Sequence, residues 1–146
     1  MLLPTAIEQV LGIFQTRLTT AGLSIELLRD QDEMLQSDEY PVTVIGWGGA
    51  EIESPTNCDE YLWRSTVMFD CWARTITGKT ILAGCTEQLS IIAAVIREDY
   101  SFGSKFHECV PIGVTDVANI GSDTGCMTLT ANVLFQTPRG DWNTLI

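Results

Sequence analysis

The chain has 146 residues, 45% of them hydrophobic and 18% charged. This is one domain's worth of sequence, apolar enough to bury roughly 68–70% of its unfolded surface and to exclude a disordered chain. Its 19 acids against 8 Lys and Arg leave a net charge of −11, which excludes a general nucleic-acid binder, because neutralising phosphates needs clustered cations.

The first predicted element is a helix. Ile7, Val10, Leu11, Phe14 and Leu18 recur at the spacing of one apolar stripe. Thr5 followed by Glu8 has the form of a capping box, and Gly22 falls where a left-handed residue ends a helix. A short strand is expected at Ser24–Leu28, then an acidic loop from Arg29 to Glu39. Tyr40–Ile45 reads as a second strand, with Pro41 confined to its start or to an edge. Gly46-Trp47-Gly48-Gly49 breaks that pattern, and the stretch through Glu60 is expected to be a long loop or a protruding hairpin.

The strongest strand signal is Tyr61–Arg74. Its odd positions (Tyr61, Trp63, Ser65, Val67, Phe69, Cys71, Ala73) are mostly apolar and its even positions are mixed, so one face is assigned to the core. On the other face Met68 and Trp72 sit among Arg64, Asp70 and Arg74. Large apolar side chains mixed with charges on a second sheet face point to contact with another subunit.

A second helix is predicted over Thr80–Arg97, with the stripe Ile81, Cys85, Leu89, Ile92 and Ile96 widened by Leu82, Ala93 and Val95. Its C-terminal Glu98 and Asp99 oppose the helix dipole. A turn at Tyr100–Lys105 and a strand near Glu108–Val117 follow, the strand placing Val110, Ile112 and Val114 on one face. A polar turn, Asn119–Gly125, leads into the strand Cys126–Gln136, with Met127, Leu129, Ala131, Val133 and Phe135 on one side. The tail after Thr137 is rich in turn residues. The order defines a single α+β domain over 1–146: a mixed, mostly antiparallel sheet with two helices on one face.

No pattern in the chain specifies a catalytic, cofactor or metal site. Five cysteines, at 58, 71, 85, 109 and 126, include no C-x-x-C pair, so they read as reduced thiols packed as small hydrophobes. Nothing in the sequence has the length and apolarity of a membrane span, and the N-terminus lacks a signal peptide's basic region; the expected protein is soluble and intracellular. Thr77-Gly78-Lys79-Thr80 imitates the end of a phosphate-binding loop, but Ala73 stands where that motif needs glycine. Arg139-Gly140-Asp141 reads as a turn. The single histidine, His107, lies two residues from Cys109, and an extended segment would put both on one face. That pair is the basis of the competing enzyme reading, a small cysteine hydrolase.

The helix, acidic turn, long alternating strand, buried mid-chain helix and closing hairpin end in Phe135-Gln136-Thr137-Pro138-Arg139-Gly140-Asp141. This layout resembles the tail terminator (tail completion) proteins of long-tailed bacteriophages, whose last strand often runs into a similar Thr-x-x-x-Asp turn. Head-completion and other neck proteins of similar size share the resemblance. It implies a non-enzymatic virion protein, assembled in the host cytoplasm. Such proteins form a ring, typically a hexamer, that caps the tail tube protein, stops tube polymerisation and meets the head–tail connector protein, with genome DNA passing through the lumen without tight binding.

Exposure logic, rather than transfer from the family, assigns Arg64, Met68, Asp70, Trp72 and Arg74 to subunit contact. The same logic assigns Trp47, Glu51, Glu53, Arg139, Asp141 and Trp142 to axial contact. Between Glu26 and Glu60 lie ten acids and one base, Arg29, a net −9 of the total −11. Asp30, Asp32, Glu33 and Asp38 in that segment are therefore the candidate lumen lining, where like charge would keep DNA from adhering. A third reading, an acidic adaptor mimicking nucleic acid, would bind a basic protein without forming a ring.

Overall fold

The structure is a computed structural model and describes residues 5–27, 40–54, 60–75, 79–119 and 123–146. Helix α1 spans Ala6–Thr20. The Thr5 hydroxyl accepts the Glu8 N–H while the Glu8 carboxylate accepts the Thr5 N–H, completing the capping box. At its other end Leu23 N–H donates to Leu18 C=O and Gly22 N–H to Thr19 C=O. This six-to-one and five-to-two pairing needs a left-handed residue, which Gly22 supplies at φ +104°.

Strands β1 (Ile25–Leu27), β2 (Val42–Ser54) and β3 (Glu60–Arg74) precede helix α2 (Ile81–Glu98), and β4 (Glu108–Val114), β5 (Ala118–Asn119) and β6 (Thr124–Pro138) follow it. The sheet runs in the order β1-β2-β3-β6-β4, with β5 paired to the start of β6. Among the described strands β1 and β2 pair in parallel and the other pairs are antiparallel. The fold is α+β with a mixed, mostly antiparallel sheet, as the element order predicts.

Both helices pack on the face carrying Val67, Phe69, Cys71, Ala131 and Val133. Phe14 is the hub of this core. Its ring meets Phe69 edge-on at 5.1 Å, Phe102 at 4.8 Å and Phe106 at 5.2 Å. Phe102 and Phe106 come from the turn after α2, which the sequence reading leaves out of the core. That turn is built by Asp99, whose carboxylate accepts from Gly103 N–H, the Ser101 hydroxyl and Arg17. These donors, Gly103 N–H foremost, hold its carboxyl below the usual range. The acid that opposes the helix dipole therefore has a different purpose: it folds the next turn and ties it to α1.

Four expectations are corrected. The glycine-rich stretch does not end β2. A bulge between Trp47 and Gly49 absorbs one residue, with Gly49 at φ +120°, and Ala50–Ser54 go on to pair with Ser65–Leu62. Of the two expectations for the stretch after Ile45, the hairpin holds and the long loop does not; residues 55–59 lie outside the described residues. Leu82 and Ala93 do not widen the buried stripe of α2; both are exposed, and Gln88 is buried instead. The strand at Glu108 stops at Val114 rather than Val117, and the expected turn 119–125 contains the β5–β6 pairing. Finally, Val110, Ile112 and Val114 do not share one face. A bulge between Pro111 and Gly113 puts Val110 opposite Asn132 and Val114 opposite Leu129, on alternate sides of β6.

The C-terminal tail folds back over the start of α1. Ala6 N–H donates to Trp142 C=O, Ile146 N–H donates to Gln136 C=O, and Leu145 packs on the core.

Candidate subunit interface

Strict alternation along β3 sends Ser65, Val67, Phe69, Cys71 and Ala73 into the core. Its even residues go to the opposite face, which no described helix covers. Of the predicted contact set, Arg64, Met68, Asp70 and Trp72 are half-buried and Arg74 is exposed, so all five line this outer face. Met68 lies over a part of β2 without side chains: a Cβ at Gly46 would be 3.8 Å from its methyl carbon, and one at Gly48 would be 3.3 Å from the Thr66 methyl. The two glycines therefore leave room for Met68 and Thr66 while keeping the sheet surface shallow.

Arg64, Asp70 and Arg74 on this face each have a partner. The Asp70 carboxylate accepts the Thr128 hydroxyl at 2.6 Å, Arg64 pairs with Glu53 at 2.5 Å, and Arg74 lies 3.8 Å from Asp123. Such partly exposed pairs contribute at most about 1 kcal/mol; their consequence here is fixed geometry around Met68 and Trp72. The Arg64 Nε is shielded from solvent and has no hydrogen-bond partner.

The structure divides the predicted axial set between two faces and a turn. Glu51 stands opposite Arg64, and Glu53 is its ion-pair partner, so both acids belong to the outer face. Trp47 stands opposite Val67, on the helix side, and its Nε1–H donates to the Ser65 hydroxyl at 2.8 Å. Trp142 meets Trp63 edge-on at 5.6 Å on that same side. The bulge at Trp47/Gly49 and the back-folding of the tail cause this separation. Trp47 and Trp142 remain 40% and 61% exposed, so the helix side of the sheet presents aromatic surface.

Arg139 and Asp141 lie in the turn after β6. There Asp141 accepts from Asn143 N–H and the Thr144 hydroxyl. The Thr144 hydroxyl and the neighbouring amides hold its carboxyl below the usual range. In the Thr137-x-x-x-Asp141 motif both named residues are thus structural: Thr137 is buried and its hydroxyl accepts the Trp63 Nε1–H at 2.9 Å. The four candidate lumen acids, Asp30, Asp32, Glu33 and Asp38, lie outside the described residues.

Of the phosphate-loop imitation only Lys79 and Thr80 are among the described residues, and they stand at a helix start, where the Thr80 hydroxyl accepts Ala83 N–H and Lys79 pairs with Glu87. His107 and Cys109 do not face the same environment: His107 is exposed in the bend before β4, while Cys109 is buried. Burial, with Glu108 adding to it, pushes the Cys109 thiol up to about 12. Such a thiol is not an activated nucleophile at neutral pH.

Cys71 and Cys126 are likewise pushed up to about 12, mainly by burial, and Cys85 is raised for the same reason. All four of these cysteines are free. The melting temperature is therefore expected to be the same with and without reductant, since a disulfide would typically add ~2–4 kcal/mol. Calorimetry in both buffers checks this, and a large drop with reductant would contradict it. Among the described residues, no group of three or more His, Cys, Asp or Glu could hold a metal ion, and no helix is long and apolar enough to cross a membrane.

No protein-family model matches the sequence, and no curated protein matches it. Fold and surface together define an α+β domain in which, among the described residues, helices cover one side of the sheet.

Proposed function

We propose that this chain is a structural ring subunit of the phage tail terminator kind, which caps a tail tube and joins it to the head connector. The observation that carries the reading is the outer face of β3. Met68 and Trp72 stand half-exposed there among tethered charges, on a sheet with no described layer over it. Burying such anchors against a neighbouring copy gives a heterologous contact, and a heterologous contact whose rotation closes makes a ring. The order of elements along the chain supports the same class. The exposed Trp47 and Trp142, on the helix side of the sheet, are the axial surface offered to the tube or connector.

Trp72→Ala is expected to keep the fold and weaken assembly, because truncating a central aromatic anchor often costs about 2 kcal/mol or more, roughly a thirtyfold loss in association. Sedimentation velocity of parent and variant, alone and with the tail tube protein, measures it. Undiminished assembly of the variant would remove the outer face as the contact.

A further inference from the structure

The thioether of Met68 stands half-buried on the outer face with low neighbours around it. Across the strands it faces Gly46 of β2 and Thr130 of β6. Along its own strand the next residues on that face are Thr66 and Asp70. All four have shorter side chains than methionine, and the Asp70 carboxylate is engaged by the Thr128 hydroxyl. At Gly46 neither backbone nor crowding calls for glycine. The left-handed residue of this stretch is Gly49, and a Cβ at Gly46 would meet only the Met68 methyl carbon, at an ordinary contact distance of 3.8 Å. Glycine within a strand weakens it and often marks a place that something approaches closely. Here it leaves the sulfur uncovered. The other described methionine, Met127, is 8% exposed and packed with Ala73 and Cys85. Burial keeps the thiols of the four described cysteines protonated, and a protonated thiol is a poor nucleophile.

We propose that Met68 is a reversible oxidation site, and that its sulfoxide switches off contact through the outer face. The effect on contact rests on the reading that the chain self-assembles; the oxidation site does not. The oxidant is a peroxide, whose oxygen the sulfur lone pair attacks. An S–O bond forms as the O–O bond breaks. The thioether loses two electrons and the peroxide gains them. The proton on the transferred oxygen passes to the leaving oxygen, which departs as water or an alcohol. The product, methionine sulfoxide, is polar where the thioether was apolar, and methionine sulfoxide reductases reverse the change. The hydroxyls of Thr66 and Thr130 lie on the same face and have no hydrogen-bond partner among the described residues, so donors for the new oxygen are at hand. An apolar anchor at the centre of the outer face thereby becomes a hydrated group that resists burial against a neighbour.

The test treats the full chain with hydrogen peroxide and follows each methionine by peptide mass mapping, for the parent and Met68→Leu. Met68 is expected to oxidise roughly tenfold faster than Met127, or more; equal rates overturn the site. Sedimentation velocity over a concentration series then compares untreated, oxidised and reductase-repaired protein. Oxidation is expected to weaken association of the parent roughly tenfold, and repair to restore it. Met68→Leu, which keeps Met1, Met34 and Met127, is expected to associate equally before and after peroxide. Weakening that persists in Met68→Leu overturns the switch, and so does full association of a parent carrying the Met68 sulfoxide. Melting temperatures of oxidised and untreated parent are expected to match, since Met68 is outside the core cluster; a large fall would make lost association a consequence of unfolding and overturn the switch too. A parent that is monomeric before treatment removes the assembly reading and the switch with it, while the mass map still decides the oxidation site.

Discussion

Phe14→Ala is expected to destabilise the protein by about 3–5 kcal/mol, the usual cost of deleting a fully buried aromatic ring. Phe14 is wholly inaccessible and touches three rings from two parts of the chain: Phe69 of β3, and Phe102 and Phe106 of the turn after α2. None of these can collapse into the vacated space alone, because Phe102 is held by the Asp99 turn and Phe69 by the sheet register. For a chain near 150 residues each kcal/mol moves the melting temperature by roughly 2–4 °C, so a fall of about 10 °C is expected. Thermal unfolding followed by circular dichroism measures it. A loss below about 1 kcal/mol would mean that the aromatic cluster is not the hub of the core.

The second large effect is expected at Gln88, a buried polar residue on the sheet side of α2. The Thr43 hydroxyl donates to its Oε1 at 2.8 Å, and its Nε2 donates to the Trp72 carbonyl at 2.9 Å. The network joins β2, β3 and α2, and it fastens the backbone of β3 at the residue whose side chain anchors the outer face. Gln88→Leu preserves bulk but leaves the Thr43 hydroxyl and the Trp72 carbonyl without these partners. Each unsatisfied buried group costs about 1–3 kcal/mol, so a loss of about 2–4 kcal/mol is expected by chemical denaturation. Adding Thr43→Val should recover part of that loss, because it removes one orphan along with its partner. A double variant no more stable than Gln88→Leu would show that the Thr43 hydroxyl finds another acceptor; Cys71 Sγ, 4.0 Å away, is the nearest candidate.

The five outer-face residues were legible in the sequence because they rest on a single local rule. Along β3 the side chains alternate without a bulge from Glu60 to Arg74, so counting by twos from Arg64 reaches Met68, Asp70, Trp72 and Arg74. The axial set is divided between faces for the complementary reason. The bulge at Trp47/Gly49 changes the parity of β2, so Trp47 and Glu51, which counting by twos would put on one face, lie on opposite faces. The faces of β4 were illegible on the same ground: apolar residues at 110, 112 and 114 read as sharing one face until the bulge at Pro111/Gly113 intervenes.

What the sequence by itself determined is what short-range physics decides. The ends of α1 follow from Thr5, Glu8 and Gly22, the start of α2 from Thr80, and the two faces of β3 from a strict period of two. Each of these rests on hydrogen bonds or alternation within a few residues. Only the tertiary structure decided that the glycines of β2 stay in the sheet, because the strand there is held by pairing with β3 rather than by propensity of its own. It alone decided that Phe102 and Phe106 join the core, since their burial depends on Phe14, some ninety residues earlier in the chain. It also decided which faces Val110 and Val114 take, because a bulge is set by register against a partner strand and leaves no periodic trace in the strand that carries it.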